Sequence, residues 1–193
     1  MIKLKTPISE EDIRKLKVGD QVLLSGTVVT ARDEAHKLMV EQKPDFIREI
    51  LNGAVIYHCG PVVKKRDDGK WEFVSAGPTT SSREEPYQAD VIAEYHVRGV
   101  IGKGGMGQKT ADGLKKYGAV YLHAVGGAGT LIANSVKEVK TVFKLEEFGS
   151  PEAFWVTEVE DFPVVVTMDA NGGSLHKEVQ EHSEKIANDL MGL

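Results

Sequence analysis

The sequence predicts an α/β protein in which a parallel core is fused to an antiparallel β layer. Two observations carry this. The first sixty or so residues are β-rich, with β-branched runs broken by glycine, and from about residue 71 strand and helix alternate. Alternation of that kind calls for a parallel sheet with right-handed crossovers.

Taken in order, VGDQVLLSGTVVTARD (18–33) reads as strand, interrupted at Gly26. The following EAHKLMVEQKPDFIREIL places Phe46, Ile47, Ile50 and Leu51 at helical spacing, with Pro44 breaking or restarting the helix. GAVIYHCGPVV (53–63) is a second apolar run, and Arg66 to Lys70 is a turn, so 53–76 reads as a hairpin returning through Trp71–Val74. A helix over roughly 84–96 carries the apolar stripe Val91, Ile92 and Tyr95, and Gly99 to Ile101 is a short strand. QKTADGLKKYG is helix, AVYLHAV strand, and GTLIANSVKEV helix; a last strand, Phe162 to Met168, ends in the turn Asp169-Ala170-Asn171-Gly172. The stretch 175–193 is a charged helical tail suited to docking on a partner, and the rest reads as a single domain with no internal repeat.

Bulk properties narrow the function. The chain has 193 residues, 41% hydrophobic and 27% charged, and a formal net charge of −5. That charge argues against a nucleic-acid binder, which needs clustered Lys and Arg for phosphates. No apolar run approaches a membrane span, and the start, MIKLKTPISEEDIRKL, lacks the apolar core of a signal peptide, so the expected location is cytoplasmic. The single cysteine, Cys59, cannot form an internal disulfide or hold an iron–sulfur cluster. It reads as a buried core thiol, and His58, His96 and His123 lack metal-ligand spacing.

Two loops join strands to helices in the α/β half, Gly77 to Arg83 and Gly102 to Gly107, and each carries a cation, Arg83 or Lys103. Helix amino termini favour anions, and a guanidinium grips a carboxylate bidentately, so the pair suits a small dianion. Against this stands the capping box Ser82-x-x-Glu85, which on pattern alone outweighs an anion site but leaves Thr79 and Thr80 unexplained. GKGGMGQKT lacks P-loop spacing, and GGAGT at 126–130 fails G-x-G-x-x-G, which disfavours a nucleotide-binding Rossmann module.

ARDEAHK (31–37), AVIYHCGPVV (54–63), SAGPTTSSR (75–83) and VIGKGGMG (100–107) resemble, in order and spacing, the β subunit of class I fumarate hydratase and the closely similar L(+)-tartrate dehydratase β subunit. The resemblance runs from about residue 3 to about 178, and this domain type occurs as a fused carboxyl-terminal domain or, as expected here, a separate chain. It implies a swivelling β/β/α domain, with a central parallel sheet, a second antiparallel sheet and helices. The implied activity is reversible hydration of fumarate to L-malate, or alternatively dehydration of L(+)-tartrate. The implied cofactor is a [4Fe–4S] cluster on three cysteines of an α partner, in an assembly of two α and two β chains. Carried over residue by residue, Thr79 matches the general base, and Arg32, Arg83 and Lys103 the cationic substrate ligands. Thr80 joins them on the same loop, and His36, four residues after Arg32, either binds substrate or orients a neighbour. The reading from another class is a non-catalytic anion-binding domain of the same fold.

Overall fold

The structure, a computed structural model, describes residues 1–192. The chain opens with β1 (Ile2–Lys5) and a short helix α1 (Glu10–Lys15), which Ser9 caps by accepting from the Asp12 N–H at 3.1 Å. Acidic residues fill that helix's first turn, where its dipole favours them. Strand β2 (Gln21–Thr30) is followed by α2 (Asp33–Gln42), which ends at Lys43 in the left-handed region, just before Pro44. A single 3-10 turn and α3 (Arg48–Leu51) restart the helix, as the proline predicts, and lead to β3 (Val55–Tyr57).

The expected hairpin over 53–76 is shorter than the sequence indicates. Only β4 (Val62–Lys65) and β5 (Trp71–Ser75) form it, and Val55–Tyr57 belongs to the main sheet because Gly60-Pro61 breaks the run between them. After a 3-10 turn over Ser81–Arg83 come α4 (Gln88–Tyr95), β6 (Gly99–Gly102), α5 (Gln108–Tyr117), β7 (Val120–His123) and α6 (Gly129–Ala133). The chain finishes with β8 (Val136–Phe143), α7 (Leu145–Phe148), β9 (Phe154–Met168) and α8 (Leu175–Met191). The tail expected over 175–193 is thus α8, an exposed helix; residue 193 lies outside the described residues.

A seven-stranded sheet runs in the order β1-β2-β3-β6-β7-β9-β8. Neighbours from β1 to β7 are parallel, whereas β9 is antiparallel to β7 and β8 and also to β2. With β2 on one side of β9 and β7 on the other, the sheet closes on itself. The result is the predicted central parallel sheet, with antiparallel strands joined to it and the β4–β5 ribbon beside it. Strand alternation divides the core. Val29, Ile56, Val100 and Tyr121 face α2, α4 and α5, while Val28, Val55, Tyr57, Ile101 and Leu122 face the other cluster. The hairpin docks there by aromatic edges: Trp71 and Phe73 sit 5.3 and 5.9 Å from Trp155 in T-shaped contacts.

Two local expectations are overturned. GTLIANSVKEV is not one helix: α6 spans five residues and the remainder starts β8. Val136, Val139 and Val142 recur every third residue, which looks helical. Register shifts at Val136/Glu138 and Val139/Thr141 each absorb one extra residue, so all three valines turn toward the core from a bulged strand. The capping box is also absent. Ser82 makes no cap bond, α4 begins at Gln88, and Glu85 reaches instead to the neighbouring helix. Its carboxylate accepts from the Gly107 N–H at 2.7 Å, the Thr110 N–H at 3.1 Å and the Thr110 hydroxyl at 2.7 Å. Replacing Glu85 by Ala should therefore cost about 1–2 kcal/mol, the scale of a lost helix cap, although the residue lies outside the helix it caps. Urea unfolding of the variant measures this; an unchanged midpoint would show that the cap carries no weight.

Candidate active site

Four of the parallel strands, β2, β3, β6 and β7, deliver a candidate residue or its support at the carboxyl end, where open parallel sheets bind ligands. Arg32 follows β2, His58 follows β3, Lys103 follows β6, and His123 ends β7. Across these ends lies the 78–81 loop. The Thr79 N–H donates to the His58 carbonyl at 2.8 Å, the Lys103 N–H to the Thr79 carbonyl at 3.3 Å, and the Ser81 N–H to the Lys103 carbonyl at 3.1 Å. Backbone pairing alone thus fixes Thr79 beside Lys103. Thr79 is half-buried, and Thr80, paired with Lys103 in a parallel bridge, is exposed.

The two arginines meet through carboxylates. Arg32, half-buried at the start of α2, pairs with Glu152 at 3.3 Å, and its buried Nε has no partner among the described residues. Arg83 is exposed and pairs with Asp33, the residue next to Arg32. Lys103 is half-buried, its stem passing the loop after β7, where a Cβ on Gly126 would lie 3.6 Å from Lys103 Cδ.

Helix termini contribute less than their loops suggest. The amino terminus of α5 is already filled by Glu85, and the Gly77–Arg83 loop enters a three-residue 3-10 turn rather than a helix. Anion attraction therefore rests on the side-chain cations. His36 does not reach the open face either. It is fully buried, with Nδ1 2.9 Å from the Arg32 carbonyl and Nε2 3.0 Å from the Gln88 amide, so its contacts fit orienting a neighbour.

Behind the loop lies a polar set that motif reading missed. His58 is fully buried, with Nδ1 2.9 Å from Ser81 Oγ and Nε2 2.8 Å from the Gln88 amide; Ser81 Oγ lies 2.8 Å from the Tyr121 hydroxyl. Gly102 makes this possible, since a Cβ there would fall 1.8 Å from Ser81 Oγ. One signal was legible: Gln88 sits on the apolar stripe of α4, three and four residues before Val91 and Ile92. Cys59 is buried as expected, and burial pushes its thiol up to about 12, so it stays protonated.

Burial holds both His36 and His58 below the ordinary imidazole value, His58 well below it. Glu84, fully buried with neither carboxylate oxygen partnered among the described residues, is pushed up to about 8 by burial and then by Asp33. Stability rises with pH wherever the unfolded chain holds more protons. Below the ordinary imidazole value of 6.5 the unfolded chain protonates two histidines that the fold keeps neutral, so stability falls on acidification. Glu84 acts oppositely: between 4.5 and about 8 the fold retains a proton that the unfolded chain loses, so its contribution is lost as pH rises. The expected urea midpoint is highest near neutrality, and Glu84→Gln should flatten the alkaline limb while steepening the acid limb. A limb unchanged in that variant would assign it to another group.

The chain resembles known proteins along nearly its whole length. A family model described as "Fumarase C-terminus" matches residues 1–179. "Putative fumarate hydratase class I" of Geobacillus stearothermophilus is 50% identical over 188 residues, covering 97% of this chain but 36% of that relative, so the chain spans about a third of its length. "Putative L(+)-tartrate dehydratase subunit beta" of Methanocaldococcus jannaschii is 43% identical, covering 96% of each. "L(+)-tartrate dehydratase subunit beta" of Escherichia coli is 42% identical over 173 residues, covering 89% of this chain and 85% of that one. With the family match spanning nearly every strand and helix described above, the chain belongs to the fumarase C-terminus family.

Proposed function

We propose that this chain is the β-type half of a hydro-lyase that interconverts fumarate and L-malate, sharing its active site with an α partner. The observation that carries the reading is the backbone ladder holding Thr79 against Lys103 at the strand ends. Arg83 follows on the same loop and pairs with Asp33, the residue next to Arg32. Support comes from the family match and from the relative named fumarate hydratase. In this reading the chain is one domain with α8 as a tail, works in the cytoplasm, and assembles with its partner as two α and two β chains. Among the described residues no helix is long and apolar enough to cross a membrane.

The [4Fe–4S] cluster implied by the resemblance does not fit this chain. A single buried, protonated thiol is not a cluster ligand set, and no group of three His, Cys, Asp or Glu among the described residues is placed to hold a metal ion. The cluster, a Lewis acid, is therefore assigned to the partner. Exposed Val125 and Leu131, in and just after the loop beside Lys103, give the open face an apolar rim for that partner.

The residues here bind the dianion and manage a proton. Substrate carboxylates take the places of Asp33 and Glu152 on the two guanidiniums, while Thr80 borders them and the Lys103 ammonium supplies a point charge. In the dehydration direction Thr79 Oγ takes the proton from the substrate carbon next to a carboxylate and gives its own hydroxyl proton to solvent. The C–H electron pair forms the double bond, and the hydroxyl on the neighbouring carbon leaves and is protonated to water. A neutral hydroxyl is a weak base, so this requires the cations to stabilise the charge that develops on substrate. His36 holds the Arg32 turn from behind.

A second reading, dehydration of L(+)-tartrate, is favoured by the relatives so named, whose lengths this chain nearly fills. Both substrates are four-carbon dicarboxylates, so the same cations serve either. The isolated chain should not hydrate fumarate, and mixing with a cluster-bearing α partner should restore turnover. Full activity of the chain alone would sink the shared-site reading, and assays of the complex on L-malate and L-tartrate separate the two substrates. In the complex, Thr79→Ala should lower kcat by about 10²- to 10⁴-fold with little change in KM, the range of a lost proton-transfer group. Arg83→Ala should chiefly raise KM. Equal effects from both variants would remove the division of roles.

A further inference from the structure

The buried polar set behind the loop has a donor problem that only one proton arrangement solves. His36 Nδ1 faces the Arg32 carbonyl at 2.9 Å, and a carbonyl only accepts, so Nδ1 carries the proton. The ring is enclosed and held neutral by burial, so its Nε2 is bare and must accept. The structure places Gln88 Oε1 there, at 3.0 Å, where it too can only accept, so the amide must be turned end for end to bring its NH2 to the ring. The same position lies 2.8 Å from His58 Nε2, so the two hydrogens of the turned NH2 serve the two rings. His58 then carries its proton on Nδ1, donates to Ser81 Oγ at 2.9 Å, and leaves the Ser81 hydroxyl to donate to Tyr121 at 2.8 Å. This assignment puts the amide oxygen of Gln88 at the position whose atom has no hydrogen-bond partner among the described residues. A carbonyl oxygen without a partner is a smaller loss there than an unused NH2 donor and a bare His36 Nε2 facing an acceptor.

Every member of the chain is fully buried, and its ends touch the proposed site. One end is the carbonyl of Arg32, and the other is Ser81, whose N–H bonds the Lys103 carbonyl and which stands two residues after Thr79. We infer that Gln88 is a positioning residue: its amide NH2 fixes His36 and His58 as matched Nδ1–H tautomers and so holds the Arg32 turn in register with the Thr79–Ser81 loop. It touches no substrate. Its effect on turnover rests on the hydro-lyase reading, but the proton placement does not.

Two measurements test this separately. In the full chain, long-range proton–nitrogen NMR of labelled histidine rings should show both His36 and His58 protonated on Nδ1 and bare on Nε2. An Nε2–H tautomer at either ring overturns the assignment. Gln88→Glu replaces the donor by an acceptor, and should turn His36 into an imidazolium, stabilised also by the nearby Asp33 carboxylate, with both nitrogens protonated. In the complex with the α partner, assayed on L-malate, Gln88→Met should stay folded by circular dichroism yet lose kcat/KM by roughly 10- to 100-fold, the scale for removing a buried partner that orients a reacting group. Wild-type kcat/KM in a folded Gln88→Met complex overturns the positioning role. If no α partner yields turnover, the function reading fails and takes that role with it, while Nδ1–H tautomers would still support the proton placement.

Discussion

Strand β9 is the constraint on which this fold rests. Its fifteen residues bond β2 along one edge and β7 and β8 along the other, so strands far apart in sequence become walls of one closed sheet. Closure also decides where charges meet. Glu152, two residues before β9, arrives beside the start of α2, where it pairs with Arg32 and accepts from the Glu34 N–H at 3.1 Å. The site's first guanidinium is thus set by a contact spanning well over a hundred residues.

The polar interior between the sheet and α4 follows a different logic. Burying a charge is costly, but a neutral imidazole with both nitrogens bonded is tolerated. Two histidines and one amide achieve that without any ion, and the missing side chain at Gly102 opens the space for Ser81. The arrangement couples three loops through short, saturated contacts, whereas the charged groups facing outward are paired loosely with carboxylates that a ligand can replace.

How much of this was legible depended on range. The parallel core, the Pro44 break and the helix Gln108–Tyr117 follow from local periodicity and breakers, and the structure has them. The proposed cations Arg32, Arg83 and Lys103 come from three short motifs, and Arg32 and Lys103 directly follow strands. What misled was pattern without register. Valines at every third position in β8 imitate a helix until bulges are known, and Glu85 imitates a capping box because sequence spacing cannot say which helix a carboxylate reaches. His36 was placed in the right neighbourhood, but its neighbour Gln88 lies 52 residues away, and only the fold brings them together.

The carboxylate at the head of α5 has one more consequence. By neutralising the helix dipole of α5, Glu85 leaves attraction for anions more to a few flexible side chains, one of them largely in solvent. Fixed dipoles in a dry cleft are little affected by dissolved ions, but exposed guanidiniums are screened over a Debye length of about 8 Å at physiological ionic strength. In the proposed hydro-lyase, capture of a dianion by the open face would therefore be a salt-dependent event, and closure by a partner is what would shield it from the surrounding electrolyte.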